Sequence, residues 1–247
     1  MYFFYHFGRY VLLLKSCFKR PENWSVYWQE FMRQMMLIGV DSLWLTLIIS
    51  GFMGAVFTVQ VAYQLVSDFI PAYVIGSVVS DSTILELAPS ITALVLAGKI
   101  GSSIASEIGT MKVTEQIDAM EVMGINSAGF LILPKILATI ISLPMLNVFA
   151  IGASIMMGAF VGEFSDILGA EEFFQGAVES FVPYNILISM TKAFTFAFMI
   201  STVSSYQGFY ISGGALEVGQ SSTRAVVFSC VSILFFDYLI TELMLGN

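Results

Sequence analysis

The stretch DSLWLTLIISGFMGAVFTVQVAYQLVSD, residues 41–68, has no charged side chain between its two terminal aspartates, Asp41 and Asp68. A helix needs roughly 20 mostly apolar residues to cross the hydrocarbon core of a bilayer, so this run predicts a first span near 43–66. Four more follow. The second, near 83–106, carries Glu86 at its start and Lys99 further in. The third, near 128–161, has Lys135 early and Pro134 and Pro144 as expected kinks. The fourth, near 184–206, surrounds Lys192, and the fifth, near 224–245, contains Asp237. Of the 247 residues 57% are hydrophobic and 11% charged, against about a quarter charged in soluble domains. The expected fold is an all-α membrane protein of about five spanning helices. One transmembrane domain covers 41–247, and an N-terminal interfacial or elbow segment, 1–40, precedes it.

Several chemistries are excluded by what is missing. The single histidine, His6, cannot build a histidine-based triad or a zinc cluster. The two cysteines, Cys17 and Cys230, make neither a disulfide framework nor a CxxC pair. Gly98-Lys99 lacks the remaining residues of a phosphate-binding loop, so no nucleotide or other cofactor is expected in this chain. No small-residue cleavage site marks the aromatic N-terminus as a secretory signal.

Basic residues set the expected orientation. Arg9, Lys15, Lys19, Arg20 and Arg33 precede the first span, Lys112 lies between the second and third, and Arg224 precedes the fifth. The loops near 67–82 and 162–183 hold Asp68, Asp81, Glu163, Asp166, Glu171, Glu172 and Glu179 but no Lys or Arg. The N-terminus is therefore expected in the cytoplasm and the C-terminus outside. Ahead of the first span, Trp24, Tyr27, Trp28, Phe31 and Met35 recur at helical spacing, with Gln29, Glu30, Arg33 and Gln34 opposite. That pattern predicts a helix lying in the cytoplasmic interface.

The segment EIGTMKVTEQIDAMEVMGI, residues 107–125, is the long polar connector on that side. Thr114 is the expected N-cap of a short helix and Gly124 its C-cap. Ile117, Ala119, Met120 and Met123 share one arc; Glu115, Asp118, Glu121 and Val122 share the other. Such a two-faced helix suits docking into a partner's groove, although the spacing equally fits a solvated connector. In the second span Ala93, Ala97, Gly101 and Ala105 recur every four residues, a stripe that lets another helix approach closely.

Charges inside a membrane are expensive and are usually paired. Counting residues from the span ends places Glu86, Lys192 and Asp237 in the outer half of the bilayer, where one lysine could serve two carboxylates. Lys99 and Lys135 lie nearer the cytoplasm and are expected to extend toward the interface. Phe57, Val61 and Leu65 form an uncharged face in the outer half of the first span, a candidate lining for lipid.

The block TILELAPSITALVLAGKIGSSIASEIGTMKVTEQIDAMEVMGIN, residues 83–126, closely resembles the MlaE family of ABC permeases. So do GFYISGGALEVGQSSTRAVV at 208–227, RPENW…RQMMLIGVDSL and the ending FFDYLITELMLGN. The resemblance implies a homodimer that binds a cytoplasmic ABC ATPase, which holds ATP and Mg, and a periplasmic MCE-domain protein. Its cargo would be phospholipid or a related lipid moving between the bacterial inner membrane and the periplasm, in maintenance of outer-membrane asymmetry. It also implies that the segment matching 107–124 is the coupling helix on the ATPase, with Glu107, Gly109, Thr110, Met111, Lys112, Thr114, Glu115, Gln116, Asp118, Met120 and Met123 as its coupling residues. The family carries charge at the positions of Glu86, Lys192 and Asp237 as well. Two positions depart from its pattern: Leu85 stands where many members have Arg, and GGALEVG replaces GGPEGVG. The competing reading is an ion-coupled secondary transporter using Glu86, Lys192 and Asp237, against which no inverted repeat is visible.

Overall fold

Apolar runs this long leave the backbone no partner but itself inside a bilayer, so each folds as a helix. The computed structural model describes residues 2–17, 24–65, 71–166 and 168–246. Lys19, Arg20 and Asp68, used above for orientation, lie outside the described residues, as do Pro21–Asn23 and Asn247 of the family-like segments and Val66 at the expected end of the first span. Helix α1 covers Tyr2–Cys17 and α2 Trp24–Met35; a π-helical stretch, Met36–Val40, leads into α3, Asp41–Gln64. The second span is assembled from α4 (Tyr73–Ser82), a π segment (Thr83–Ile91), α5 (Thr92–Leu96), a second π segment (Ala97–Gly101) and α6 (Ser102–Val113). After the short α7 (Gln116–Val122) come α8 (Ser127–Phe164), α9 (Ala170–Glu179), α10 (Pro183–Phe209) and α11 (Ala215–Leu245).

Among the described residues five helical stretches are long and apolar enough to cross a membrane: Ser25–Gln64, Tyr73–Val113, Ser127–Phe164, Pro183–Phe209 and Ala215–Leu245. The expected count is met, but three boundaries are corrected. The interfacial segment runs into the first span without a break, and Gln34, expected on its polar face, is buried with its amide donating to Glu30 at 2.8 Å. The second span starts earlier than expected, at Tyr73, because the apolar residues around Asp81 extend the helix rather than a loop. The fifth starts at Ala215, which places Arg224 inside the helix instead of before it.

The described chain divides into two units. The first comprises Met1–Asp41, Leu94–Ser142 and Thr195–Phe235. Within it α1 lies along the end of α10: His6 Nδ1 is 2.7 Å from the Tyr206 hydroxyl, and Tyr10 donates to Thr202 Oγ1 at 2.8 Å. Arg9 stacks 3.8 Å above the Tyr210 ring, a cation–π contact. Ala97, Gly101 and Ala105 are buried here, and the backbone of Ala105 approaches Gly208 of α10 so closely that a Cβ on Gly208 would come within 2.8 Å of its carbonyl.

The second unit comprises Ser42–Ala93, Leu143–Phe194 and Phe236–Asn247. Its apolar centre gathers Val61, Ala62, Ile75, Val79, Ala159, Leu168 and Phe173, with Phe57, Leu65 and Ile155 packed around it. The two acid-rich loops of the sequence reading each contain a helix here, α4 and α9, in backbone contact. A Cβ on Gly76 would sit 2.2 Å from the Phe173 carbonyl, and one on Gly176 1.9 Å from the Tyr73 carbonyl. Only glycine fits at both points.

Candidate functional site

In the second unit Lys192, on α10, is fully buried at 0% exposure. An unpaired lysine in the bilayer would cost roughly 2.5–3.5 kcal/mol. Its Nζ lies 2.5 Å from Glu86 Oε1 and 2.8 Å from Asp237 Oδ1, so the structure brings together the three charges that the depth count had grouped. A third contact comes from proline chemistry. Pro89 has no N–H to offer the carbonyl four residues before it, that of Leu85. Lys192 Nζ donates to that oxygen at 3.1 Å. The lysine thus touches both the backbone of the π-helical turn that carries Glu86 and Pro89 and the carboxylate this turn presents.

Two hydroxyls complete the cluster, and neither was singled out in the sequence. Ser90 donates to Asp237 Oδ2 at 2.8 Å, and Thr241 donates to Glu86 Oε1 at 3.1 Å. Each stands four residues after a carboxylate, Ser90 after Glu86 and Thr241 after Asp237; each serves the other one, and Ser90 also reaches Glu86 Oε2 at 3.4 Å. That spacing puts acid and hydroxyl on one helix face, and it is the signal that could have found them. One cation and two carboxylates leave the cluster one negative charge in excess, which the two donors partly offset.

The face Phe57, Val61, Leu65 is unevenly exposed. Val61 is buried inside the apolar centre, and Phe57 and Leu65 are half-buried at its margin. Ala93 of the small-residue stripe is fully buried in the same unit.

The other candidate region belongs to the first unit. Thr114 is not the cap of α7: its hydroxyl donates back to the Thr110 carbonyl at 2.8 Å and closes α6. Glu115 is the cap residue, at φ 61, without a side-chain cap bond, and Gln116 Nε2 donates to Thr114 Oγ1 at 3.0 Å. At the far end Gly124 takes φ 80. The Ile125 amide reaches the Met120 carbonyl and the Gly124 amide that of Glu121, both at 3.0 Å, a Schellman turn that needs a left-handed residue. Asp118 pairs with Lys112, and Ser127 donates to Glu121 at 2.8 Å.

The two arcs of α7 also differ from expectation. Ile117 is fully buried and Met120 half-buried, whereas Met123 is 67% and Val122 89% exposed. An apolar edge therefore stands out beside the exposed Glu115, Gln116 and Asp118. Met111 is half-buried and Thr110 exposed on α6, and Gly109 is buried against Ile211. Glu107 and Lys135 depart furthest from expectation. Lys135 is 1% exposed and paired with Glu107, whose other oxygen meets Arg33. Lys99 donates to the Asp41 carbonyl.

Comparison with known proteins gives one family match, to the model described as Permease MlaE, over residues 31–243. A probable ABC transporter permease protein of Rickettsia bellii is 37% identical over 218 residues, 88% of this chain and 84% of that protein. One of Synechocystis is 36% identical over 217 residues, 86% of this chain and 81% of that protein. The chloroplastic protein Trigalactosyldiacylglycerol 1 of Arabidopsis thaliana is 32% identical over 218 residues, 88% of this chain and 62% of that protein.

Proposed function

The chain belongs to the MlaE family of ABC transporter permeases, and from that premise we propose that it moves phospholipid or a related lipid between the bacterial inner membrane and the periplasm, serving outer-membrane asymmetry. It works as a homodimer, driven by ATP and Mg bound in a separate cytoplasmic ATPase and passing lipid to or from a periplasmic MCE-domain protein. The relative named for trigalactosyldiacylglycerol supports a diacyl lipid as cargo. The basic residues of α1, α2 and α6, against the acidic α9, support a cytoplasmic N-terminus and a periplasmic C-terminus. Phe57 and Leu65 are the part of the first span that meets lipid.

One observation carries this reading. Helix α7 is capped at its C-terminal end, tied down through Ile117, and left with Val122 and Met123 bare beside acidic side chains. A short helix with a bare apolar edge is suited to a groove on another protein, and in an ABC permease that protein is the ATPase. The cluster of Glu86, Lys192 and Asp237 holds the outer halves of the spans together in this account and is not an ion relay. The test is co-purification: Glu115→Lys with Asp118→Lys, or Val122→Glu alone, leaves the permease inserted and releases the ATPase. Full retention of the ATPase with normal ATP turnover in both variants would sink the docking assignment.

A further inference from the structure

Resemblance places Glu107 on the surface that meets the ATPase, but the structure turns its carboxylate inward. Oε2 pairs with Lys135 Nζ, and Oε1 accepts from the Arg33 guanidinium at 3.1 Å. Arg33 lies 3.5 Å from Glu30, whose Oε1 also accepts from the buried Gln34 amide. The bridge joins three elements of the first unit: α2 through Arg33 and Glu30, α6 through Glu107, and α8 through Lys135. The last two are the arms of one excursion, since α6 leads into α7 and α8 leads out of it.

The partners are unequal in a way that gives the bridge a direction. Lys135 is buried in an apolar helix and is paired directly with Glu107, so the pair resists separation: leaving one charge buried alone costs far more than the pair itself contributes. Arg33 is exposed and adjustable. A movement imposed on α7 would therefore carry α6 and α8 together, while the link to α2 could slide. The remaining ties of α7 are local: buried Ile117, the Lys112–Asp118 pair and the Ser127–Glu121 hydrogen bond. None of them joins α6 to α8.

We propose that Glu107 and Lys135 are positioning residues which lock the two arms of α7 into one body, so that displacement of α7 by the ATPase reaches the spans instead of being absorbed at its stem. The inference rests on the reading of α7 as the ATPase dock. A static staple would have a different signature. Losing a staple lowers assembly, ATP turnover and transport together; losing a transmitting bridge lets ATP turnover continue while less lipid moves per ATP.

The experiment uses the purified permease–ATPase complex in liposomes of phosphatidylethanolamine and phosphatidylglycerol, with fluorescently labelled phosphatidylethanolamine as probe. ATP turnover and lipid moved are measured on the same preparation. For Lys135→Gln the ratio of lipid moved to ATP consumed falls about tenfold, within the range of coupling between distant sites, while the ATPase stays bound. Lys135→Arg restores most of the ratio. Arg33→Gln, a change at the exposed end that leaves the fold intact, lowers the same ratio to a lesser extent and decides the matter if Lys135→Gln does not fold. An unchanged ratio in the folded variants overturns the proposal, and so does a proportional fall of both activities. Release of the ATPase by changes in α7 itself is read separately, and its absence would count against the docking assignment rather than against the bridge.

Discussion

The Lys192 ammonium lies 2.8 Å from the Asp237 carboxylate and 2.5 Å from that of Glu86, with no exposure of its own. Removing the cation leaves two carboxylates facing each other, with Ser90 and Thr241 as their donors among the described residues. Breaking a buried pair in this way costs about 3–5 kcal/mol. Lys192→Met should therefore lower the thermal unfolding midpoint in detergent and impair transport or assembly more than Lys99→Ala does. Exchanging the charges, Lys192→Asp with Asp237→Lys, should recover part of the loss. A Lys192→Met protein as stable as the unaltered one would remove any energetic role for the cluster.

The contact of α4 with α9 depends on the absence of two side chains. A methyl at Gly176 would need the Tyr73 carbonyl to move from 1.9 Å, and overpacking of this kind costs about 1–3 kcal/mol. Gly176→Ala should lower thermal stability, whereas Gly152→Ala, with nothing within 4 Å of its Cβ, should be neutral or slightly stabilising. Equal midpoints for the two variants would contradict the close approach.

The five spans were legible in the sequence, because long apolar runs and rare charges report directly on the bilayer. Lys192 announced its need for a carboxylate by depth alone. What failed was the arithmetic of faces. Two π segments, Thr83–Ile91 and Ala97–Gly101, interrupt the second span, and each π turn departs from the 100° step of a helical wheel. Glu107 follows both, so its inward direction could not be read from spacing. Helices α4 and α9 were hidden for another reason: Asp81, Glu171 and Glu172 look like loop residues until the glycine contacts that seat both helices are known.

Cys17 gives a pH-dependent test outside the spanning helices. Its thiol is buried at the end of α1, and burial pushes its pKa up to about 12, against about 8.5 for a free thiol. The folded state thus holds the proton that the unfolded state releases. The associated stability is fully present below pH 8.5 or so and is lost as pH rises toward the folded value. In a Cys230→Ala background, iodoacetamide should label Cys17 slowly at pH 8 until the protein is denatured. Unfolding midpoints should fall more between pH 9 and 11 than in Cys17→Ala. Rapid native labelling would show that the thiol is not held as described.

The central claim is that this permease moves lipid at the expense of ATP hydrolysed by a partner. The direct measurement places the permease–ATPase complex in liposomes of phosphatidylethanolamine and phosphatidylglycerol, with labelled phosphatidylethanolamine and the MCE-domain protein outside. Lipid movement is followed with ATP and Mg, with a non-hydrolysable analogue, and with imposed proton and sodium gradients. The account predicts movement that requires hydrolysable ATP, is unaffected by either gradient and is abolished by Glu115→Lys with Asp118→Lys. Movement driven by an ion gradient without ATP would contradict it.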